Sequence, residues 1–184
     1  MFKLVVFMSF LGLFLLIIGL NIVISMIRRA RLSDAKKICK LINSSAKKGR
    51  MLERSLNSIY ENIRDFWVWA EGRKIVGCSA LHIVGWQDLA EVRSLVVAKD
   101  FQNKGIGGAL VKQCMDEAKE MGLKHVFALT FVDGFFKRLK FTEMDKKDLP
   151  HKIWSDCINC ISFFNCKEKA VMYSFKKKQV QNKI

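Results

Sequence analysis

Ala35, Ile38, Leu41 and Ile42 share one face at the 3.6-residue period, with Ser33 ahead of them as a cap. The pattern predicts a helix that ends at the Lys47-Lys48-Gly49 break. Leu56, Ile59, Ile63 and Phe66 repeat the spacing and predict a second helix. The period then shortens. FWVWA (66–70) and KIVGCSALHIV (74–84) read as strands joined by a tight turn at Glu71-Gly72, and LAEVRSLVVA (89–98) as a third. A helix beginning near Ile106 carries Leu110, Cys114, Ala118 and Met121 on one stripe and stops at Gly122. HVFALTF (125–131) reads as a strand, DGFFKRL (133–139) as a short helix, FTEMD as a strand and AVMYSF (170–175) as the last one. With MIRRAR (26–31) as a first strand, the order is β-α-α-β-β-β-α-β-α-β-β. That is one α/β unit without internal repeat or linker.

The 184 residues suffice for one domain with a substantial core. Ahead of it, residues 4–24 (LVVFMSFLGLFLLIIGLNIVI) carry no formal charge. As a helix they span about 31 Å at ~1.5 Å per residue, enough to cross a hydrocarbon layer. Lys3 precedes this run, while Arg28, Arg29, Arg31, Lys36 and Lys37 follow it, a bias that places the rest of the chain on the cytoplasmic side. ISMIRRAR offers no A-x-A cleavage site. The expectation is a hydrophobic N-terminal segment over residues 1–25 acting as a single transmembrane anchor, a domain over 26–175 and a basic tail over 176–184. The chain then sits on the cytoplasmic face of the inner or plasma membrane, with the membrane as a partner. A start at Met26 is the competing reading and leaves the chain cytoplasmic.

The net charge of +15 is spread along the chain. No zinc-finger spacing or RNA-binding aromatic signature accompanies it, so no specific nucleic-acid partner is expected. A lysine-rich surface attractive to an anionic substrate accounts for it. The six cysteines read as thiols. Cys157, Cys160 and Cys166 stand at C-x2-C-x5-C and admit three readings. They are a zinc site with His151 or another residue as fourth ligand, a Cys157–Cys160 redox pair, or packing groups beside Trp154, Phe163 and Phe164. The two-by-two pattern of a structural zinc site is incomplete, so zinc is not assigned.

Gly105, Gly107 and Gly108 strip side chains from the turn into the central helix, where bare N–H groups and the helix dipole favour phosphate oxygens. The G-K-[ST] ending of an ATP-type loop is missing, and the spacing is not the G-x-G-x-x-G of a dinucleotide fold. The wider stretch VRSLVVAKDFQNKGIGGALVKQCMDEA resembles the central motif of the Gcn5-related acetyltransferase superfamily, whose Q/R-x-x-G-x-G/A signature stands here as Gln102 to Gly107. The resemblance implies a mixed, splayed central sheet flanked by helices, and acetyl coenzyme A as co-substrate. It also implies backbone contacts from Leu95, Val96 and Val97 to the pantetheine arm. Gln102, Lys104, Gly105, Gly107 and Gly108 then line the diphosphate, with Ala109 close behind.

RMLERSLNSIYENIRDF, GCSALHI, DLAEVRSLVV, HVFALTF, FFKRLKF and LPHKIWSDCINCISFFNCKEKAVM, in that order, look like the short bacterial N-acetylglutamate synthase type. That type acetylates the α-amine of L-glutamate in the first step of arginine biosynthesis. The chain departs from the type at Phe131, where relatives commonly have tyrosine. The resemblance implies that Arg54 contacts a glutamate carboxylate, and matches Cys78 to a family cysteine that lines the acceptor cavity or packs in a strand.

Thioester aminolysis needs approach, a base for the amine and a place for negative charge. Glu91 and Arg93 face the same way by period-2 alternation; Glu91 is the candidate base and Arg93 a second carboxylate fork, unless the two pair with each other. Phe135 and Phe136 pack the coenzyme arm or the core. His82 and His125, each in an apolar strand, read as structural. Other acceptors (a different amino acid, a peptide N-terminus, a polyamine) and a non-enzymatic coenzyme-A-binding regulator stand as alternatives.

Overall fold

The computed structural model describes residues 25–49, 51–85, 88–149, 156–160 and 163–175. Seven strands form one sheet: β1 (Ser25–Arg29), β2 (Phe66–Glu71), β3 (Lys74–Ile83), β4 (Leu89–Val97), β5 (His125–Thr130), β6 (Thr142–Met144) and β7 (Lys169–Ser174). Their spatial order is β1-β2-β3-β4-β5-β7-β6. Every neighbouring pair is antiparallel except β4 with β5. Among the described residues four helices, α1 (Ala35–Ala46), α2 (Leu56–Glu61), α3 (Ile106–Glu120) and α4 (Asp133–Arg138), complete the order expected from periodicity.

The helices divide between the two faces of the sheet. Ile38 and Ile42 of α1 and Ile59 of α2 pack on Val68, Cys78, Ala80 and Val96. Val111, Cys114 and Ala118 of α3 and Phe136 of α4 pack with Leu81, Ala90, Val92, Val126 and Ala128. The architecture is the expected mixed sheet flanked by helices.

Three local expectations change. Ser33 does not cap α1; a 3-10 turn (Leu32–Asp34) leads into it, and Asp34 Oδ2 accepts the Arg31 N–H at 2.9 Å. The second helix stops at Glu61, because Asn62 turns its side-chain amide back to the Ser58 carbonyl at 2.8 Å and leaves helical geometry. Ile63 lies in the following 3-10 turn, and Phe66 already opens β2. Met121 is 55% exposed at the end of α3 rather than on its apolar stripe.

The expected membrane anchor is also corrected, together with the membrane partner and the place on a membrane face. Among the described residues no helix is long and apolar enough to cross a membrane. The longest of them, α3, has 15 residues. At ~1.5 Å per residue that is about 22 Å, short of a hydrocarbon core of about 30 Å. Residues 4–24 and the basic tail over 176–184 lie outside the described residues.

The feature that positions a site is the opening between β4 and β5. Their pairing covers only Leu89↔His125, Ala90↔Val126 and Glu91↔Phe127. Beyond it β4 runs on to Val97 and β5 to Thr130 without pairing to each other, so the sheet splays. A β-bulge lies at the same place. Cys78 pairs with Val96 but Ala80 with Arg93, so two residues of β4, Ser94 and Leu95, stand against Ser79 alone. Ser94 takes φ +55°, a left-handed conformation a non-glycine residue seldom adopts. The extra residue reverses the alternation of β4. Val92 faces α3, yet Val96 joins the α1 side, while Leu95 and Val97 join the α3 side.

Candidate active site

On the α3 face, the open edge of β4 meets the start of α3. Gly105 holds the N-cap with φ +78°, and Asn103 before it also has positive φ. No side chain caps this helix and no acidic residue stands in its first turn, so its leading N–H groups face outward beside the positive end of the dipole. A Cβ on Gly107 meets the Phe135 ring at 3.5 Å and Val97 Cγ2 at 3.8 Å, so this glycine lies at the junction of helix, strand end and α4. Gln102 Nε2 donates to the Val97 carbonyl at 2.9 Å, tying the loop to the strand it leaves. Gly107, Gly108 and Ala109 are half-buried, Lys104 is exposed and lies 5.1 Å from the Phe101 ring centre, and Leu95 and Val97 are half-buried. Val96 is buried on the opposite face, which leaves its backbone as its part in this edge. Phe135 is part of the cleft wall. Phe136 is buried in the core, edge-on to Phe135 and Phe141. The loop, strand edge and helix start expected to meet a diphosphate and its arm are therefore contiguous.

The other face carries a polar strip between two apolar clusters, one under α1 and one around Phe127 and Leu149. Glu91 is 4% exposed and stands directly across from His82 in the β3–β4 register. Arg93 follows on the same face. Its guanidinium donates to Asn62 Oδ1 at 3.2 Å and lies 3.8 Å from a carboxylate oxygen of each of Asp65 and Asp156. Burial lowers the pKa of Arg93 and the nearby charge of Arg54 adds to this, while Glu91, Asp65 and Asp156 oppose it. Arginine remains charged under such shifts. Arg93 and the buried carboxylate of Glu91 thus share this face beside the splay, within reach of the Arg54 charge.

Arg54 lies in the segment before α2, and its charge acts on Arg93. Among the described residues its guanidinium has no hydrogen bond or ion pair, whereas its backbone is held on both sides by Asn43. Cys78 is fully buried under the bulge, and its thiol donates to the Ser94 carbonyl at 3.7 Å. Burial first, and then Cys114, pushes that thiol far above its ordinary range. It packs in the α1 layer and is sealed from solvent.

Asp65, Asn62, Asp156 and His82 were not singled out as site residues in the sequence. Asp65 Oδ2 lies 2.6 Å from His82 Nδ1, so His82 belongs to this strip rather than to a purely apolar strand. His125 instead meets Ser174 at the far end of β5. Cys157, Cys160 and Cys166 are half-buried, and His151 is outside the described residues. Among the described residues no group of three or more His, Cys, Asp or Glu is placed to hold a metal ion.

A strand bulged and splayed beside an uncapped glycine-rich helix start offers an open strand edge and helix N–H groups to a phosphate-bearing ligand. The chain belongs to the acetyltransferase (GNAT) family, whose model matches residues 35–142, and it is an N-acetyltransferase. It is 42% identical over 146 residues to an uncharacterized N-acetyltransferase of Chlorobaculum tepidum, covering 79% of this chain and 94% of that one. An amino-acid acetyltransferase of Mycobacterium tuberculosis is 37% identical over 133 residues, 71% of this chain and 75% of its own length. A crystal structure of a Mycobacterium tuberculosis protein in complex with CoA and a second ligand superposes with TM-score 0.70 at 31% identity, covering 82% of this chain and 99% of that one. N-acetylglutamate synthase from Neisseria gonorrhoeae, complexed with coenzyme A and N-acetyl-glutamate, shares the fold with TM-score 0.76 at 23% identity. That match covers 84% of this chain and 36% of the synthase.

Proposed function

We propose that the chain transfers the acetyl group of acetyl coenzyme A to the α-amine of L-glutamate, giving N-acetylglutamate and coenzyme A. The observation that carries this reading is Arg93, held by Asn62, Asp65 and Asp156 on the face of β4 that carries buried Glu91, beside the opening between β4 and β5, with the charge of Arg54 acting on Arg93. Glutamate brings two carboxylates and an amine, and the strip supplies two planar forks and a base.

In this reading the donor lies along the edge of β4, its diphosphate over Gly105, Gly107 and Gly108 and its arm against Leu95, Val96 and Val97. Gln102, Lys104, Ala109 and Phe135 border it. Glu91 removes a proton from the α-ammonium. The amine nitrogen then attacks the thioester carbonyl, the N–C bond forms, and the C–S bond breaks with its electron pair on sulfur. Arg54 reads a carboxylate through its guanidinium fork. Arg93, already tied to Asn62, Asp65 and Asp156, holds the second at a fixed place. The relatives named as amino-acid acetyltransferases support an amino acid as the acceptor class.

The test is coenzyme A release measured across the twenty amino acids, a short peptide and spermidine. Glutamate is expected to give the highest kcat/KM, ahead of glutamine, which lacks the second carboxylate. Faster turnover of the peptide or the polyamine removes the assignment.

A further inference from the structure

Acetylating an ammonium group releases a proton that the products do not hold. The nitrogen arrives as –NH3+, and the departing thiolate takes up one proton as the amide forms. One more proton must leave the site in each cycle. Glu91 is 4% exposed, so a proton it accepts needs a route to water.

His82 supplies the geometry of such a route. It stands directly across from Glu91 in the β3–β4 register. Facing residues of an antiparallel pair hold their Cβ atoms about 4.5–5.5 Å apart, with side chains on one face. The His82 side chain is 30% exposed, so it reaches from the buried carboxylate toward solvent. Asp65 Oδ2 lies 2.6 Å from its Nδ1. A carboxylate accepts hydrogen bonds, so Nδ1 carries the hydrogen and Nε2 is left as the basic nitrogen. Asp65 is itself fixed near Arg93, 3.8 Å away. Among the described residues, the charged groups placed near the imidazole are Asp65 from the turn before β2, Glu91 across the β3–β4 register and Arg93, which approaches the same Asp65 oxygen.

We propose that His82, held in one tautomer by Asp65, is a relay residue that carries the acceptor's proton from Glu91 to solvent. Glu91 takes the proton from the ammonium and passes it to His82 Nε2. The imidazolium, steadied by Asp65, gives it to water and returns to the neutral form. No oxidant or further reactant enters, and one proton leaves per acetyl transferred. The relay rests on Glu91 as the base, as proposed above, but not on glutamate as the acceptor, because every amino acid presents the same α-ammonium.

The experiment uses the full chain with His82→Gln and His82→Ala, assayed with the amino acid that the wild type acetylates fastest. Melting temperature and both KM values are followed alongside kcat. Gln keeps a donor toward Asp65 but carries no proton between pH 6 and 9. The expected result is a kcat about 10²-fold lower in both variants, the scale of general acid–base catalysis, with both KM values within about twofold of wild type. Added imidazole should restore His82→Ala in a concentration-dependent way and leave the wild type unchanged. Unaltered kcat overturns the relay. So does a loss that imidazole fails to restore in a variant that melts like the wild type, since His82 is then only structural. A best acceptor other than glutamate counts against the substrate reading alone; no turnover with any amino acid overturns both.

Discussion

The side-chain amide of Asn43 bonds the backbone of Arg54 on both sides: Nδ2 donates to its carbonyl and Oδ1 accepts its N–H, each at 2.9 Å. Asn43 therefore acts as a single rung of β-ladder projecting from α1. The Cys39 thiol reaches the same carbonyl at 3.6 Å, and Ser55, the next residue, caps α2 by accepting the Ser58 N–H. The main chain at Arg54 is pinned from two helices while its guanidinium is left unbonded among the described residues. Such an arrangement aims a fork without occupying it.

Asn43→Leu removes both bonds, leaving a partly buried N–H unmatched and the C=O with only the Cys39 thiol. It should cost about 1–3 kcal/mol of stability. The KM for the acceptor should rise about tenfold, which is about 1.4 kcal/mol, with acetyl coenzyme A affinity unchanged because Asn43 is remote from the glycine loop. Denaturant unfolding and steady-state kinetics check this. An unchanged acceptor KM in a destabilised protein removes Asn43 from the positioning of Arg54.

Arg54→Leu tests the fork itself. Removing one partner of a desolvated carboxylate pair should lower kcat/KM for glutamate by roughly 2–4 kcal/mol of transition-state stabilisation. The melting temperature should hold, because the variant keeps both Asn43 bonds, which go to the main chain. Unchanged kcat/KM excludes Arg54 from the acceptor site.

Two glycines separate packing from ligand access. A Cβ on Gly77 falls 3.0 Å from Leu110 Cδ1 and 3.1 Å from Ile106 Cγ2. Both partners are buried at the α3–β3 contact, so neither can retreat freely. Gly77→Ala should destabilise by about 1–3 kcal/mol through overpacking. Gly107→Ala meets only ordinary contact with Phe135 and replaces a helical glycine, so it should fold as well or slightly better, by up to about 1 kcal/mol. Gly107→Val should abolish acetyl coenzyme A binding in a folded protein, since the donor backbone must pass there. Calorimetry of the two Gly107 variants beside unfolding curves checks each part. Equal donor affinity in wild type and Gly107→Val displaces the diphosphate from this loop.

The same contrast shows what periodicity could reveal. Element order followed from it because apolar faces of α1, α3 and the strands are local in sequence. Glu91 and Arg93 share a face as alternation requires, since both precede the bulge. The reversal at Ser94 is invisible in LAEVRSLVVA; it arises from register against β3, where Ser79 faces two residues. The Arg93 partners come from Asn62, Asp65 and Asp156, distant in sequence and polar, so they carry no period. His82 read as structural because its neighbours are apolar, and only the β3–β4 register places it across from Glu91. Gly77 gave no turn signal, because its demand is a close approach of α3 rather than a backbone angle.

The two buried thiols set an alkaline limit. Burial pushes Cys114 up to about 12, partly offset by its bond to Ser79, and pushes Cys78 further in the same direction. The unfolded thiols titrate near 9.0. A folded pKa above the unfolded one means that the native state keeps its proton while the unfolded state loses it. The stabilisation is therefore complete below about pH 9 and is lost progressively as pH rises from there toward 12. Urea midpoints should fall between pH 8.5 and 10.5, and the fall should be shallower in Cys114→Ala, whatever that variant's starting stability. In the native protein at pH 8, an uncharged thiol reagent should modify Cys39, Cys157, Cys160 and Cys166, which are half-buried, and spare Cys78 and Cys114. Unfolding in urea should expose all six cysteines to the reagent. Rapid native labelling of Cys114, or an identical alkaline slope in Cys114→Ala, rules out a protonated thiol sealed between α3 and the sheet.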